Sequence, residues 1–163
     1  MNARAMNAEA RTDHTADTFA AQLPPRGALL GLDVGTKTIG IAVSDVGRMI
    51  ASGLVTLQRT KFTADAARLL ELAGRHAIAG IVIGLPLNLD GTSGPRAQST
   101  RAFTRNLAQL TGLPLLLWDE RLSTAEAERM LIAADQSRRR RAEVIDKVAA
   151  TIILQGALDR MRA

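Results

Sequence analysis

The chain contains no cysteine and only two histidines among its 163 residues. The absence of cysteine excludes disulfide bonds, thiolate catalysis and cysteine-type zinc sites. His14 lies in the N-terminal segment and His76 ends a predicted helix, so a histidine-based zinc site is disfavoured as well. No apolar run approaches the roughly 18 residues of a membrane span, and no secretory signal is visible, so we expect a cytoplasmic protein.

Aromatic residues make up only 2% of the chain. Recognition of several stacked bases is therefore disfavoured, and a bound nucleic acid would be held mainly through its backbone. Basic residues are plentiful: 21 Lys and Arg against 16 Asp and Glu give a net charge of +5, and 18 of the 21 are arginine. Because guanidinium groups grip phosphate, this excess favours a polyanionic partner about as much as it favours ordinary solvated surface charge.

The chain divides into an N-terminal segment and one α/β domain. Residues 1–26 show no sustained apolar period, and we interpret them as a mobile extension with little core to bury. Within residues 27–163, hydrophobic patterning predicts a three-stranded meander followed by alternating helices and strands, hence a mixed sheet with helices on both faces. The predicted strands are 28–33, 38–44, 50–57, 80–84 and 114–118; the predicted helices are 62–76, 96–111, 123–134 and 142–161; 135–141 is predicted to be a charged, mobile connector.

Three acidic residues stand where an α/β fold usually places its ligands. Asp33 and Glu120 each follow an apolar strand. Asp146 shares a helix face with small or apolar residues three, four and seven positions later, so the helix could carry its carboxylate inward. A buried carboxylate needs a cation or hydrogen bonds. Together the three acids predict a site for a hard divalent cation such as Mg²⁺, which prefers oxygen ligands.

Each acid also has a simpler interpretation. Asp33 could cap the hairpin turn that follows it, and Glu120 could pair with Arg121. Asp146 could pair with Lys147 or a nearby arginine. The basic residues around the predicted site could contact phosphate groups, or could serve as ion-pair partners and as ordinary loop or connector residues. They are Lys37, Arg96, Arg121, Arg138, Arg139, Arg140 and Arg141.

Four groups of residues, in this order, resemble the YqgF family. They are GLDVG at 31–35 with GIAVSD at 40–45, VIGLP at 82–86, DERLST at 119–124 and IDKVAA at 145–150. Members of this family are also called "putative pre-16S rRNA nucleases" or Holliday-junction-resolvase homologues of the RNase H-like superfamily. The resemblance covers residues 27–161 and implies an RNase H-like fold with a central five-stranded sheet whose first three strands are antiparallel.

The resemblance implies metal-dependent hydrolysis of phosphodiester bonds with two Mg²⁺ or Mn²⁺ ions. Carried over by motif, the catalytic and metal-binding residues are Asp33, Glu120 and Asp146. The family often has two acids in the last helix, and Lys147 occupies the second place here. The implied role is maturation of the 5′ end of pre-16S rRNA, by a monomer or a homodimer. Holliday-junction resolution is the alternative, and it would need a symmetric dimer with paired sites.

Two other classes of protein stay open at this point. The sequence DVGT at 33–36 also fits the first phosphate loop of the actin, heat-shock ATPase and sugar-kinase group. Those proteins need two such domains, whereas this chain has the length for one. A non-catalytic nucleic-acid-binding protein of the same fold would bind equally well after Asp33→Asn and would show no metal-dependent cleavage.

Overall fold

A computed structural model describes residues 12–122 and 138–163, with side chains described for 12–122 and 147–163. The strands in this part of the chain are β1 (Thr12–Asp13), β2 (Leu29–Val34), β3 (Thr38–Ser44), β4 (Ala51–Gln58), β5 (Gly80–Leu85) and β6 (Leu115–Asp119). The helices are α1 (Ala16–Ala21), α2 (Phe62–Arg75), α3 (Pro95–Ala108) and α4 (Arg138–Arg162), with a 3₁₀ helix at Glu120–Leu122.

The six strands form one mixed sheet in the order β1-β6-β5-β2-β3-β4. Strands β2, β3 and β4 are an antiparallel meander, as predicted, and β5, β6 and β1 continue the sheet parallel to β2. Parallel strands end at the same edge of a sheet, so the carboxyl ends of β2, β5 and β6 lie together. This edge carries Asp33 and Glu120. The predicted mixed α/β class is confirmed, with six strands rather than five.

Strand alternation divides the core into two layers. On one face, side chains such as Leu30, Leu32 and Ile83 pack against α2 and α3. On the other face, Leu29 and Val82 pack against α1 and α4. Successive residues of a strand point to opposite faces, so Asp33, like Leu29, belongs to the α4 face. The site is therefore covered by the same helix that carries position 146.

The starts of α1, α2 and α3 each have a local cause. Thr15 caps α1 by accepting a hydrogen bond from the Thr18 amide at 3.3 Å. At the start of α2, the buried Asp65 carboxylate accepts the Thr60 amide at 3.0 Å. Proline occupies the first turn of α3, where its missing N–H costs nothing. None of the helices in residues 12–122 and 138–163 combines the length and hydrophobicity needed to cross a bilayer.

The prediction that residues 1–26 bury little core is wrong for residues 12–23. Strand β1 pairs with β6, and the Phe19 side chain on α1 is completely buried. Phe19 and Leu23 cover Gly80, where an added Cβ would lie 2.8 and 2.9 Å from them. Sequence patterning missed this segment because two strand residues and one aromatic anchor produce no sustained period. Residues 1–11 lie outside the described part.

The charged connector predicted at 135–141 differs from the structure at residues 138–141, and residues 135–137 lie outside the described part. Helix α4 begins at Arg138, so the backbone of Arg138–Arg141 is helical and continuous with the rest of the helix. Arginine is a good helix former, so these residues can extend the helix. The prediction started the helix at residue 142 because the apolar period begins there, but that period reflects which residues are buried and does not show where the helical backbone begins. The predicted helix at 123–134 lies outside the described residues.

Candidate active site at the carboxyl ends of β2 and β6

Asp33 is a buried carboxylate surrounded by glycines on its face of the sheet. Its side chain sits near the end of β2, and the residue is 7% exposed. Gly31 precedes it by two residues, Gly40 pairs with it across β3, and Gly84 lies one position beyond the Leu32–Ile83 pair on β5. Glycines at positions 31 and 84 let helix α4 and the Glu120 side chain approach the sheet closely next to this carboxylate. The amide of Gly35 donates to the Thr38 carbonyl at 2.9 Å, so backbone closes the hairpin turn.

The Glu120 side chain extends over the sheet to Gly84 on β5. It follows β6 and begins the 3₁₀ helix, and it is partly buried. A Cβ added to Gly84 would lie 2.6 Å from the Glu120 Oε1 atom and 2.5 Å from the Ile153 Cδ1 atom. The Glu120 carboxylate therefore lies directly above β5, on the α4 face. Neighbouring strands are about 4.8 Å apart, so this position is adjacent to Asp33 on β2.

Helix α4 runs antiparallel to β2, with its carboxyl end fixed at the amino end of that strand. Gln155 and Arg162 hydrogen-bond the Met49 carbonyl at 3.1 and 2.9 Å, next to the turn that joins β3 to β4. One and a half turns earlier, the Ala150 carbonyl lies 3.0 Å from where a Cβ on Gly31 would stand. The amino-terminal turns of α4 consequently extend toward the carboxyl end of β2.

Ala150 lies over Gly31, and the helix and the strand run in opposite directions. Position 146 is one helical turn before Ala150, and Asp33 is two strand residues after Gly31, so both steps lead toward the same end of the sheet. Four helix residues advance about 6 Å and two strand residues about 6.6 Å, so the two steps match. The helix backbone thus brings position 146 level with Asp33. The side chain of Asp146 lies outside the described part of the structure. Among the side chains that are described, no three His, Cys, Asp or Glu residues converge on a common point.

Lys147 is placed away from Gly84 and over the meander. Its Cβ and Cδ atoms lie 3.4 and 3.8 Å from where a Cβ on Gly53 in β4 would stand. Its carbonyl oxygen accepts a hydrogen bond from the Thr151 hydroxyl at 2.7 Å. The alkyl stem of Lys147 therefore packs across β4, while position 146 follows β2.

Arg121 pairs with Asp119. Its Nη2 atom lies 2.7 Å from Asp119 Oδ2, and its Nε atom is 3.1 Å from both carboxylate oxygens. The hydrogen bonds from this guanidinium, followed by its charge, lower the pKa of Asp119 despite partial burial. Among the ion pairs of the described residues, the carboxylate that Arg121 contacts is that of Asp119. Sequence reasoning missed Asp119 because an aspartate at a strand end has no feature that separates it from its neighbour.

The same arginine connects the 3₁₀ helix to the glycine-rich loop after β5. Its Nη1 atom donates to the Leu89 carbonyl at 3.2 Å, and the guanidinium lies 3.3 Å from where a Cβ on Gly91 would stand. Gly91 has a φ of 86°, a conformation that favours glycine. Within the loop, hydrogen bonds from Thr92 lower the pKa of the exposed Asp90 carboxyl. Arg121 therefore holds two loops together at the rim of the site.

The turn between β2 and β3 is braced from the opposite face of the sheet. Arg59 donates to the Gly35 carbonyl at 2.7 Å through Nη1 and to the Lys37 carbonyl at 2.8 Å through its amide. The guanidinium carbon of Arg59 lies 5.6 Å from the centre of the Phe103 ring, and its Nε lies 3.8 Å from Asp65. Lys37 itself is exposed at the tip of the turn. Nothing in the sequence pattern pointed to Arg59.

The remaining predicted contacts with nucleic acid divide into two groups. Arg96 is exposed in the first turn of α3. Arg138–Arg141 form the first turn of α4, and their side chains lie outside the described part. Lys37, Arg96 and Arg121 all border the carboxyl edge of the sheet or the loops that leave it, so the structure is compatible with a basic rim around the two acids.

The architecture described above defines an RNase H-like mixed α/β fold. A Thermus thermophilus RuvC structure is similar to this chain with a TM-score of 0.52 and 14% identity, covering 83% of this chain and 96% of that one. A T. thermophilus RuvC in complex with a Holliday junction substrate gives a TM-score of 0.51 at 14% identity, over 80% of this chain and 93% of that one. At this identity the likeness concerns the fold alone.

The family follows from sequence relatives. The family model described as RuvX, Holliday junction resolvase, matches residues 27–160, and the chain belongs to this family, which is also called YqgF. A protein of Paracoccus denitrificans named "putative pre-16S rRNA nuclease" is 64% identical over 146 residues, which is 90% of this chain and 92% of that one. A protein of the same name from Nitrobacter hamburgensis is 66% identical over 142 residues, 87% of each chain.

Proposed function

We propose that this chain is a metal-dependent nuclease that hydrolyses phosphodiester bonds, and that it acts on the 5′ end of pre-16S rRNA. The proposal names Asp33, Glu120 and Asp146 as the residues that carry the reaction. Relatives from two organisms, each at least 64% identical to this chain, bear the name of such a nuclease.

The observation that carries the proposal is the position of the Glu120 carboxylate above Gly84. Two acids that are 87 positions apart in the sequence approach each other on one face of the sheet: Asp33 stands on β2, and the Glu120 carboxylate lies above Gly84 on the neighbouring strand β5. Paired carboxylate oxygens of this kind are the ligands that a hard divalent cation requires.

These residues fit a divalent cation. Carboxylate oxygens are the ligands that Mg²⁺ and Mn²⁺ prefer, and the Glu120 carboxylate lies above β5, the strand next to the one that carries Asp33. Asp33 and Glu120 would hold the cation, with Asp146 as the third ligand from α4. The chemistry that such bound ions supply is activation of water and neutralisation of charge on the phosphate and the leaving oxygen.

The chain's own residues orient the substrate around these acids. Lys37 extends from the β2–β3 turn, which Arg59 holds in place. Arg121 keeps the glycine-rich loop beside Glu120, and its partial exposure leaves its outer edge accessible to a phosphate oxygen. Arg96 at the start of α3 and Arg138–Arg141 at the start of α4 extend the positive surface on either side. Salt is then expected to weaken substrate binding.

The test is to remove each carboxylate charge without changing its shape. Asp33→Asn, Glu120→Gln and Asp146→Asn should each reduce Mn²⁺-dependent cleavage of an RNA that spans the 5′ boundary of 16S rRNA by more than about 100-fold, because even residues that only orient metal ligands are worth 10–100-fold. RNA binding without divalent ions and the thermal unfolding midpoint should change little.

Asp17→Asn is a matched control, since Asp17 is an exposed aspartate on α1 that pairs with Arg160 at 3.4 Å. It should leave cleavage unchanged. Full cleavage by all three site variants would remove the proposed metal site. Loss of RNA binding in parallel with cleavage would show that the acids support the structure and do not take part in the reaction.

A four-way DNA junction is the second candidate substrate. It is favoured by the description of the matching family as a Holliday junction resolvase. Cleaving symmetric strands requires two sites related by a two-fold axis. The same assay with a mobile junction, combined with light scattering at the assay concentration, separates the candidates: paired symmetric nicks by a dimer indicate resolution, and cleavage of the RNA alone by a monomer or dimer indicates rRNA processing.

The non-catalytic alternative makes the opposite prediction. Lys147 stands where relatives of the family often have a second acid, and its stem packs over Gly53 rather than toward Gly84. If three acids suffice, wild-type protein cleaves and Asp33→Asn does not. If the protein is only a binder, wild type and Asp33→Asn bind the RNA equally and neither cleaves it in Mn²⁺.

A further inference from the structure

A cleft outside the acidic site lies between strand β1 and helix α3. It has a volume of about 170 Å³ and is lined by Thr12, His14, Arg101, Arg105 and Leu117. Leu117 belongs to the core under α2 and α3, so the cleft lies on the opposite face of the sheet from α4. A water molecule occupies about 30 Å³ in the liquid, so the cleft has room for a group the size of a phosphate.

Among the residues that the structure describes, no carboxylate pairs with the two arginines of this cleft. Helix α3 carries three arginines and no acid along its whole length, Pro95–Ala108. Arg101 and Arg105 are one turn apart on the same stripe, where like charges repel. Arg101 contacts the Ser93 hydroxyl at 3.2 Å.

Helix α2 shows that this chain supplies partners for helical arginines elsewhere. Arg68 lies 2.7 Å from Asp65, and Arg75 lies 3.2 Å from Glu71, both on the same helix. The acid nearest to the cleft in sequence is Asp13, which accepts a hydrogen bond from the Gln22 side chain. Alternation along β1 directs Asp13 to the opposite face from its two neighbours that line the cleft. The cleft is therefore basic, and the Asp13 side chain of the adjacent strand β1 lies on the other face of the sheet.

We propose that this cleft binds a phosphodiester group of the nucleic-acid strand, several bonds away from the one that is hydrolysed. The inference rests on the proposed nuclease function, since it concerns the path of the same substrate. Guanidinium groups bind phosphate oxygens bidentately, and His14 adds a ring N–H at the outer wall. The bound phosphate provides the anion that α3 lacks.

The cleft lies within reach of the acidic site. Leu117 precedes Glu120 by three residues, which is about 10 Å along an extended strand. A strand that crosses the carboxyl end of β6 passes from the α4 face, where Glu120 lies, to the α3 face, where the two arginines lie. The cleft thus fixes the register of the substrate without contributing to the chemical step.

The experiment compares Arg101→Gln/Arg105→Gln with a control that removes the same charge elsewhere. Affinity for a fluorescein-labelled single-stranded RNA spanning the 5′ boundary of 16S rRNA is measured by anisotropy in EDTA, over a range of salt concentrations. The cleft variant should bind at least about 10-fold more weakly, and the slope of log K against log salt should fall by about 0.7 to 1.4, for one or two neutralised phosphates.

The control is Arg26→Gln/Arg75→Gln, which removes two exposed arginines away from the cleft. It should change affinity less than about threefold. Equal weakening in both variants would mean that only net charge matters, and the cleft would then not be a site. If the double variant unfolds, Arg105→Gln alone carries the test, because Arg105 is exposed and its replacement is expected to disturb the helix little.

A second measurement distinguishes a strand-binding cleft from a free-anion site. Inorganic phosphate is titrated into wild type and into the cleft variant by calorimetry. Phosphate binding that disappears in the variant, together with unchanged RNA affinity, would show a free-anion site and overturn the proposal. Because binding is measured without divalent ions, loss of RNA affinity in the cleft variant stands even if Asp33→Asn retains cleavage, which would overturn only the proposed nuclease site.

Discussion

The two faces of the sheet each bury an aspartate, and they surround it in opposite ways. On the α2 face, Asp65 is completely buried and is held by Thr60 and Arg68, with Arg59 3.8 Å away. On the α4 face, Asp33 lies among glycines, next to the carboxylate of Glu120. In the first arrangement, the negative charge of Asp65 is held by hydrogen bonds that stabilise the fold. The second brings two carboxylates together on adjacent strands, which is the arrangement that we propose to hold a cation.

The largest expected effect tests whether residues 12–23, which cover part of the α4 face of the sheet, contribute to the stability of the fold. Phe19→Ala should lower the free energy of unfolding by about 3–5 kcal/mol, because it removes a fully buried ring that covers Gly80. Urea denaturation followed by circular dichroism measures it. Leu110→Ala, at a half-exposed leucine, should cost under about 0.5 kcal/mol. Equal losses would mean that residues 12–23 are not part of the core.

The next effect concerns the acid on the α2 face. Asp65→Asn should cost about 1–3 kcal/mol of stability, since a buried network of hydrogen-bond donors loses the negative charge and one of the two acceptor oxygens that hold it. It should leave cleavage nearly unchanged, whereas Asp33→Asn should do the reverse. The two variants together test whether Asp65 stabilises the fold and Asp33 supports cleavage. A large stability loss in Asp33→Asn with normal cleavage would show that Asp33 is a structural acid instead.

The pH dependence of the same variant sharpens the test. Burial raises the pKa of Asp65, but hydrogen bonds from Thr60 and Arg68 outweigh it and leave the pKa below the ordinary 3.8. A carboxyl whose pKa is lower in the folded state stabilises the fold above its unfolded pKa and loses that contribution as the pH falls through its folded pKa. The acid limb of the stability profile should therefore be flatter in Asp65→Asn. An unchanged limb would contradict this.

The last prediction tests the position of the Glu120 carboxylate above Gly84, through its effect on the proposed cleavage. Gly84→Ala introduces a methyl group 2.6 Å from Glu120 Oε1 and 2.5 Å from Ile153, so the carboxylate must move. Displacements near 1 Å can cost about 100-fold in rate, and we expect cleavage to fall by about 10- to 100-fold. Gly74→Ala is the control: nothing lies within 4 Å of the new atom in helix α2. Normal cleavage by Gly84→Ala would show that Glu120 does not act from its observed position.

The sequence predicted what depends on local pattern. Apolar runs located the meander and β5, and the strand-end rule selected Asp33 and Glu120, which the structure places on one face. The partnerships of Arg121 with Asp119 and of Arg59 with Asp65 were not predictable in this way. They depend on rotamers and on which loops meet, and an arginine beside several acids has no periodic signal.

The same limit explains the missed N-terminal elements. Strand β1 has only two residues and α1 only six, so neither produces a recognisable period. What identifies them is a partner more than 90 residues away: Thr12 pairs with Leu115. Short strands and helices that form because of tertiary contacts, with little contribution from their own propensity, are not detected by the hydrophobic pattern of a single sequence.

The short strand β1 has a consequence for solubility. It occupies the outer side of β6, a five-residue apolar strand with the sequence LLLWD. An uncovered edge of this kind offers a row of free amide and carbonyl groups to any passing chain and invites intermolecular sheet growth. Strand β1 pairs with Leu115 and Leu116, so main chain from residues 12 and 13 covers the first part of this edge and limits the length of β6 that another chain could pair with.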